Sequence, residues 1–440
     1  MLMAFIRAFR TPDLRKKLLF TLGMLVLFRF GASLPTPGID EKNVQYCAGL
    51  ASSNSALQLI DLLSGNSLKY MTVFALGIMP YITASIILQL LTVVIPRLET
   101  LKNEGQAGQA KITQYTRYLT VGLAVLQSTG YIELARSGEL FAGTTCASSS
   151  SSYPLIADPS VFRIATMVII MVSGTAVIMW MGELITDRGV GNGMSVLIFT
   201  QVVAVIPGEI STIYQSKGFF YAAMAVVVIM VIFGFVVFME QAQRRIPVQY
   251  AKRMVGRRMY GGTSTYIPMK VNQAGVIPVI FASSLLYIPQ LAVSLFGNSS
   301  KPQGWDTFIQ TYFENSTGYV YIAMFFVLII AFTYFYVSIT FNPVEVADNM
   351  KKYGGFIPGI RPGRPTAEYL GYVLNRLTAP GSLYLGLVAM FPLVALALIG
   401  VANDFPFSGV SLLIMVGVGL DTVKQIESQL QQRNYEGFLR

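Results

Sequence analysis

Apolar stretches of membrane-spanning length follow one another along most of this chain of 440 residues. A helix of about 20 apolar residues crosses the hydrocarbon core of a bilayer. Ten stretches approach that length: 18–34, 72–95, 115–134, 161–184, 195–210, 219–240, 271–296, 319–341, 382–401 and 409–423. Only 12% of the residues are charged, whereas a soluble domain carries about 25%. The sequence therefore predicts an all-α integral membrane protein with ten transmembrane helices.

The Lys and Arg residues alternate between the two sides that ten spans define. Cytoplasmic loops retain Lys and Arg, so the distribution of these residues reports orientation. With both termini in the cytoplasm, the cytoplasmic segments hold 25 of the 32 basic residues and the external loops hold 6. The remaining one, Arg29, lies inside the first span. We therefore expect a multi-pass membrane protein with both termini cytoplasmic.

The ten spans divide evenly into two predicted halves. Residues 1–210 hold spans one to five and residues 211–440 hold spans six to ten, with a break between Pro207 and Gly218. An odd number of spans per half inverts the second half, and inverted repeats place a working site at their interface. The second half also carries two large cytoplasmic loops, 241–270 and 342–378, which are basic and rich in Gly and Pro.

The segment Leu57 to Tyr70, LQLIDLLSGNSLKY, lies between the first two spans and matches neither. Its apolar run ends at Leu63 and is too short to cross, and the residues 64–67 (Ser-Gly-Asn-Ser) interrupt it. Such a segment either re-enters the membrane from outside, where irregular backbone must be buried in protein or face water, or lies as an amphipathic helix on the external surface. The residues leave both alternatives open.

Ionisable residues are nearly absent from the predicted spans. Glu183, Glu240 and Asp421 fall at span ends, and the chain has no histidine. An ion-coupled transporter keeps a carboxylate near the midplane, and His-based triads and His-ligated metals are excluded outright. The predicted spans contain no pair of aspartates near the midplane, so the sequence does not indicate an intramembrane protease. We therefore predict no catalytic residue, no metal site and no cofactor; a secondary transporter of the inverted-repeat type remains an alternative function.

Two further patterns have ordinary structural explanations. Gln89, Gln127 and Asn272 lie in three different spans, where amides commonly bond between helices. The run 189–193 (Gly-Val-Gly-Asn-Gly) follows an apolar helix rather than a strand. It therefore predicts a tight turn between spans and not a phosphate-binding loop.

Long motifs in consistent order then make the chain resemble the SecY family over nearly its whole length. They are FALGIMPYITASIILQLLTVV (Phe74 to Val94), KITQYTRY (Lys111 to Tyr118), GELITDRGVGNGMS (Gly182 to Ser195), QRRIPVQYAKR (Gln243 to Arg253), VNQAGVIPVIFASS (Val271 to Ser284), FNPVEVADNMKKYGGFIPGIRPG (Phe341 to Gly363) and the terminal NYEGFLR.

The resemblance implies a protein-conducting channel whose narrowest point is a ring of apolar side chains. The matching positions are Ile78, Ile82, Met194, Ile198, Ile277 and Ile414. An apolar constriction excludes ions by dewetting, and its branched side chains can part around a passing polypeptide. Met194 departs from the usual branched residue, and its longer, more flexible side chain alters how the ring seals.

The same resemblance makes the short segment a plug for the external funnel, with Leu59, Ile60, Leu62, Leu63, Ser64 and Gly65 as its residues. It implies that Gln89, Gln127 and Asn272 line a lateral gate, through which a signal sequence or membrane span leaves sideways into lipid. A signal sequence would favour the open form by binding it better.

The two basic loops are implied to dock the SecA motor ATPase and the ribosome, through Arg253, Arg257 and Arg258 in one loop and Arg361 in the other. The further implied partners are the SecE and SecG subunits, membrane lipid, and secretory and membrane-protein precursors. The protein is expected to supply a path and to be no enzyme.

Both cysteines, Cys47 and Cys146, fall in external loops by the charge distribution. Because the external side is oxidising, we predict that a disulfide can tie the first external loop to the next.

Overall fold

The computed structural model of the chain describes residues 9, 11–50, 65, 67–137, 155–156, 160–250, 253–255, 258–260, 264–296, 318–399 and 409–436. Within these ranges, ten helices have 16 residues or more. They are α1 (Pro12–Ala32), α3 (Met79–Val94), α5 (Gln106–Ser137), α6 (Val161–Arg188), α7 (Gly193–Lys217), α8 (Phe219–Gln241), α9 (Ile277–Phe296), α10 (Tyr319–Thr340), α12 (Arg364–Ile399) and α13 (Gly409–Glu436). Three shorter helices are α2 (Glu41–Leu50), α4 (Pro96–Asn103) and α11 (Pro343–Lys352). Each of the ten predicted spans corresponds to one of the long helices.

Five of the described helices are long and apolar enough to cross a membrane by length and composition alone: α6, α7, α8, the segment Val320–Lys352 that contains α10, and α13. A sixth is the pair α3 and α4, which bends by 106° at its break. Pro96 opens α4 directly after Ile95, and proline disfavours helical conformation in the residue before it. This places the bend where the apolar sequence ends.

Several predicted spans differ from the observed helices at their first residues, and two of these differences are described here. The second was expected to begin at residue 72, but α3 begins at Met79, and the turns before it include Met71 with a φ of 49° and Gly77 with a φ of 55°. The ninth was expected to begin at residue 382, but α12 begins at Arg364. Apolar composition indicates which residues are buried, but it does not show whether the buried backbone forms a turn or a helix.

The long helices form two groups of five along the chain. Helix α7 continues through Pro207 and ends at Lys217, so the predicted division at residue 210 falls inside it. Gly218, with a φ of 92°, separates α7 from α8. The groups pack extensively where α7 contacts α8 and α13. They meet again on the opposite edge, where α9 contacts α3 and α5 more sparingly. We call this second contact the seam.

One side of the bundle carries a small sheet that the sequence analysis did not predict. Strands β1 (Gln243–Tyr250) and β4 (Ser264–Lys270) are antiparallel neighbours, and β5 (Gly355–Phe356) from the second large loop pairs with β1. A separate hairpin pairs β2 (Arg253–Val255) with β3 (Arg258–Tyr260). Ile246 and Val248 alternate with exposed residues along β1, as expected for a strand with one buried face. The sheet therefore joins the two large loops, and we call this side the sheet side.

The opposite side has its own apolar core around the turns that precede α3. Met71 and Cys47 are fully buried there with Tyr131 of α5 and Met167 of α6. The Tyr131 hydroxyl donates to the carbonyl oxygen of Leu68. Irregular backbone is tolerated within a membrane protein where protein buries it, and this core supplies that burial. We call it the far-side core.

Close approach of Gly174 to the same turns generates a testable prediction. A Cβ at Gly174, in the middle of α6, would lie 2.2 Å from the carbonyl oxygen of Val73. Gly174→Ala should therefore destabilise the folded protein by about 1–3 kcal/mol, measured by thermal unfolding in detergent. Gly122→Ala is the matched control, because Gly122 is also inside a helix and has nothing within 4 Å of its Cβ position. Equal unfolding temperatures for the two variants would contradict this packing.

Candidate functional site: an apolar constriction below a vestibule

A cavity of about 490 Å³ opens toward the sheet side between the two groups of helices. Its lining comes from α3, α5, α6 and α7 of the first group and from α9 of the second. We call it the vestibule. Asn192, Thr186 and Ser195 at the turn between α6 and α7 line it. The vestibule therefore lies across the interface of the two groups, where the inverted-repeat argument expected a working site.

Four of the six predicted ring residues line the vestibule: Ile82, Met194, Ile198 and Ile277. The other two, Ile78 and Ile414, are 1% exposed and belong to the large apolar core that packs against Ile82, Met194 and Ile198. Two pairs of these residues, 78 and 82 and then 194 and 198, are spaced by one helical turn and therefore share a face. The structure thus brings side chains from both groups of helices to one apolar region beneath the vestibule.

The turn before α7 positions Met194. Asn192 caps this helix, because its side-chain oxygen accepts from the backbone N–H groups of Met194 (3.1 Å) and Ser195 (3.4 Å). Gly191 has a φ of 88°, which glycine adopts at low cost. The glycine run is therefore a tight turn, as predicted. A Cβ on Gly182 would lie 2.4 Å from the Met194 sulfur, so the absence of a side chain on α6 makes room for the methionine.

A second cavity, of about 330 Å³, lies on the other face of the seam, between α3 and α5 on one side and α9 and α10 on the other. We call it the groove. The vestibule and the groove share a thin wall that includes Tyr81, Ser85, Gln89 and Ile277. Parting the seam at this wall would join the interior of the bundle to its outer surface.

Of the three amides predicted for a lateral gate, only Gln89 lines the two cavities. Gln89 lies in the wall between vestibule and groove. Gln127 is half-buried on α5 and lies outside the lining of both cavities. Asn272 is buried just before α9 and donates to Glu240 of α8 (2.6 Å) and to the carbonyl oxygen of Gly275 (3.2 Å). The other polar side chains of the groove wall, such as Ser85, Thr113 and Thr116, were not predicted.

An ion pair in the vestibule was also missed by the sequence analysis. Arg117 of α5 donates through Nε to Oε1 of Glu183 (2.9 Å) and through Nη2 to Oε2 (2.8 Å). Its Nη1 donates to the side-chain oxygen of Gln114 (3.0 Å). The two charges lie 66 positions apart, and the sequence alone places each near the end of a span. Both side chains face the vestibule, and only the angular position of each residue around its helix could have indicated that they pair.

Of the predicted plug residues, Leu59, Ile60, Leu62, Leu63 and Ser64 lie outside the described residues. Gly65 is described: it is buried, has a φ of 67°, and accepts a hydrogen bond from Nη1 of Arg29 at 3.3 Å. A Cβ at this position would come within 3.3 Å of the Gln201 side chain of α7. The single basic residue predicted inside the first span thus contacts the end of the short segment.

Three of the four predicted docking residues are described, and they lie on the sheet side. Arg253 and Arg258 belong to the paired strands β2 and β3, while Arg257 lies outside the described residues. Arg361 is exposed between Gly359 and Gly363, whose φ values are 83° and 109°. The carbonyl oxygen of Arg361 accepts from the Thr366 hydroxyl at 2.9 Å, so its backbone is fixed at the start of α12.

In the described part of the chain, no group of three or more Cys, Asp or Glu side chains is arranged to hold a metal. Apolar side chains from both helix groups beside a vestibule, and a lining that the vestibule shares with a groove, are the features of a membrane channel.

The comparisons with known proteins agree with that class. The SecY family model matches residues 72–423. A protein translocase subunit SecY from Streptomyces coelicolor is 63% identical over 445 aligned positions that cover 100% of both chains. The chain therefore belongs to the SecY family. It is a translocation channel, and it is neither an enzyme nor the secondary transporter that the span count left open.

Solved channels share the fold at low sequence identity. A structure of SecY, described in terms of a plug domain that stabilises the closed translocation channel, has a TM-score of 0.62 at 17% identity and covers 94% of this chain and 92% of that one. A Sec61 chain from a canine ribosome–channel complex has a TM-score of 0.56 at 16% identity with the same coverage of both chains.

The burial of Ile198 beneath the vestibule predicts how the closed channel excludes ions. An asparagine there would put a hydrogen-bonding amide into the apolar region and favour water, so we expect Ile198→Asn to raise the ion conductance of the idle channel several-fold. Ile198→Leu keeps the site apolar and should leave conductance near the wild-type value. Current across planar bilayers measures both. An unchanged current for Ile198→Asn would mean that another part of the chain makes the seal.

Proposed function

We propose that this chain forms a signal-sequence-gated channel that passes unfolded secretory polypeptides across the plasma membrane and releases membrane-protein helices sideways into lipid. The observation that carries the proposal is the wall shared by vestibule and groove. The vestibule leads to the apolar ring, and the groove faces outward between α3, α5, α9 and α10. A polypeptide in the vestibule therefore has two exits, one past the ring and one through the seam.

The ring supports the first exit. We assign Ile78, Ile82, Met194, Ile198, Ile277 and Ile414 to it, because they come from both helix groups and four of them line one cavity. Apolar side chains offer a passing polypeptide no hydrogen bonds that would trap it, and they close again without a desolvation cost. Met194, which rests on Gly182, adds flexibility at the place where the contact must yield.

The seam supports the second exit. Helix contacts within lipid gain little from the hydrophobic effect and depend on close packing and polar bonds. Contacts of α9 with α3 and α5 are sparse compared with those of α7 with α8 and α13. We therefore propose that Gln89, with Ser85 beside it, forms the part of the lateral gate that a signal sequence parts, and that Gln127 and Asn272 flank it.

The sheet side supports cytoplasmic docking and an orientation with both termini in the cytoplasm. The even number of spans and the excess of basic residues in the loops on this side are the basis for that orientation. The pairing of β5 with β1 connects the two basic loops, so Arg253, Arg257, Arg258 and Arg361 are proposed as one docking area for the SecA ATPase and the ribosome. SecE and SecG are the proposed companion subunits.

We also propose the disulfide between Cys47 and Cys146. Cys47 is fully buried in the far-side core, and Cys146 lies outside the described residues. A nonreducing peptide map of freshly isolated membranes that finds both thiols free would contradict the pairing.

Photocrosslinking tests the proposed pore. A crosslinking residue is placed at Ile82, Ile198 or Ile414, and a secretory precursor is arrested during export. We expect precursor adducts at all three positions, and we expect them to disappear when the signal sequence is deleted. The control position is Val227 of α8, which is 61% exposed on the outer surface of the bundle. Continued export with adducts at Val227 and none at the three ring positions would overturn the assignment.

The contact between Arg29 and Gly65 predicts how the plug is held. Arg29→Met removes the donor to the Gly65 carbonyl oxygen, so the closed form should lose stability relative to the open form. We expect greater export of a precursor with a defective signal sequence, measured as its fraction outside the membrane. Arg29→Lys keeps a cationic donor and should remain closer to wild type. If Arg29→Met rejected the defective precursor as well as wild type does, the contact would have no role in closure.

A further inference from the structure

The vestibule carries its charge on the wall formed by the first helix group. Glu183 and Asp187, one turn apart on α6, line it together with Arg117 of α5. The α9 wall opposite consists of Ile277 and Ile280. Two carboxylates and one guanidinium leave this lining with an excess of one negative charge, in a protein whose net charge is +10. The vestibule is thus an acidic site within a basic protein.

Of the two carboxylates, Arg117 forms an ion pair only with Glu183. It holds Glu183 through both guanidinium contacts, while Asp187 is exposed and has no ion-pair partner among the residues that the structure describes. The Arg117 and Glu183 side chains are 41% and 24% exposed. Water screens an ion pair of that exposure, so an incoming cation can replace Arg117. The two carboxylates together can take a ligand with more than one positive charge.

The surface beside the two carboxylates defines the rest of the ligand. Besides its charged residues, the vestibule is lined by Ile82, Ile198 and Ile277, and it shares Gln89 and Ile277 with the groove. A ligand that fits both kinds of surface has a cationic head joined to an apolar run. Export signals are built in this way, with a basic head before 7–15 apolar residues.

We propose that Glu183 and Asp187 bind the basic head of an entering signal segment, and that Arg117 occupies Glu183 until that head arrives. This rests on the proposed function, since it assigns a binding site for the substrate of the channel. The exchange is purely ionic: the head's ammonium or guanidinium group pairs with Glu183, and Arg117 keeps its charge.

The exchange also connects binding to opening. Arg117 fastens α5 to α6 in the closed form, and α5 is one of the helices that contact α9 across the seam. A head that displaces Arg117 removes that fastening on the same side of the bundle where the apolar run reaches the wall. Binding of the head therefore favours the conformation in which α5 is free to move from α9, which is a coupling between two sites.

The test compares two precursors that differ only in the head, one with three lysines and one with three glutamines. Export is measured with the full translocase in inverted membrane vesicles. The double variant E183Q/D187N should lose most of the preference for the lysine head, measured as the ratio of the two export rates. The variant also breaks the Arg117 fastening, so export of the glutamine-head precursor should stay at the wild-type rate or above it. R117Q frees Glu183 and should increase the preference. The conservative variant E183D should retain it.

The control is E133Q, which removes the exposed pair between Glu133 and Arg136 at the other end of α5 and should keep the wild-type preference. An unchanged preference in E183Q/D187N overturns the proposal. So does an equal loss for both precursors, because that would make the pair a structural fastening only. If the wild-type channel exports neither precursor, the proposed function itself fails, and this outcome is distinct from the other two.

Discussion

The sparse contact of α9 with α3 and α5 is the constraint on which the working parts of this molecule depend. In water, burial of apolar surface would hold such a seam closed. In lipid the tails solvate apolar side chains as well as a neighbouring helix does, so packing and polar bonds decide the closed state. The extensive contact of α7 with α8 and α13 keeps the two groups joined while the seam parts. A channel with one strong edge and one weak edge can open sideways without dissociating.

The proposed ring and the seam share one residue, Ile277, and this residue would couple them. Ile277 is the first residue of α9, and it lines both vestibule and groove. Any movement of α9 that parts the wall also moves Ile277 at the constriction. Widening of the pore and opening of the gate are therefore expected to occur together.

Much of the helical architecture could be predicted because a membrane span is a property of local composition. Each of the ten predicted spans corresponds to one long helix, and their orientation stays a prediction from the charge count. The site was predicted less evenly. The ring residues followed from motif resemblance, and nothing in their own composition separates Ile198 from a lipid-facing isoleucine such as Ile169, which is 64% exposed. The late start of α3 was missed because Met71 and Ala75 are buried turn residues, as apolar as the helix after them. The sheet was missed because β1 and β4 each contain a proline and at least one basic residue, although the buried pair Ile246 and Val248 alternates as strand residues do.

The pairing of Asn272 with Glu240 shows how a tertiary contact can reassign a residue that sequence places correctly. The amide was expected at a polar seam, yet at 2.6 Å from a buried carboxylate it binds α9 to α8 within the second helix group. A hydrogen bond to a charged group is stronger than one between neutral groups. This contact therefore holds the segment just before α9 in place. Asn272 is therefore held within the second helix group, whereas Gln89 on α3 lies in the wall between vestibule and groove. The two amides have the same chemistry, and their different surroundings explain why only Gln89 lies where the proposed gate would part.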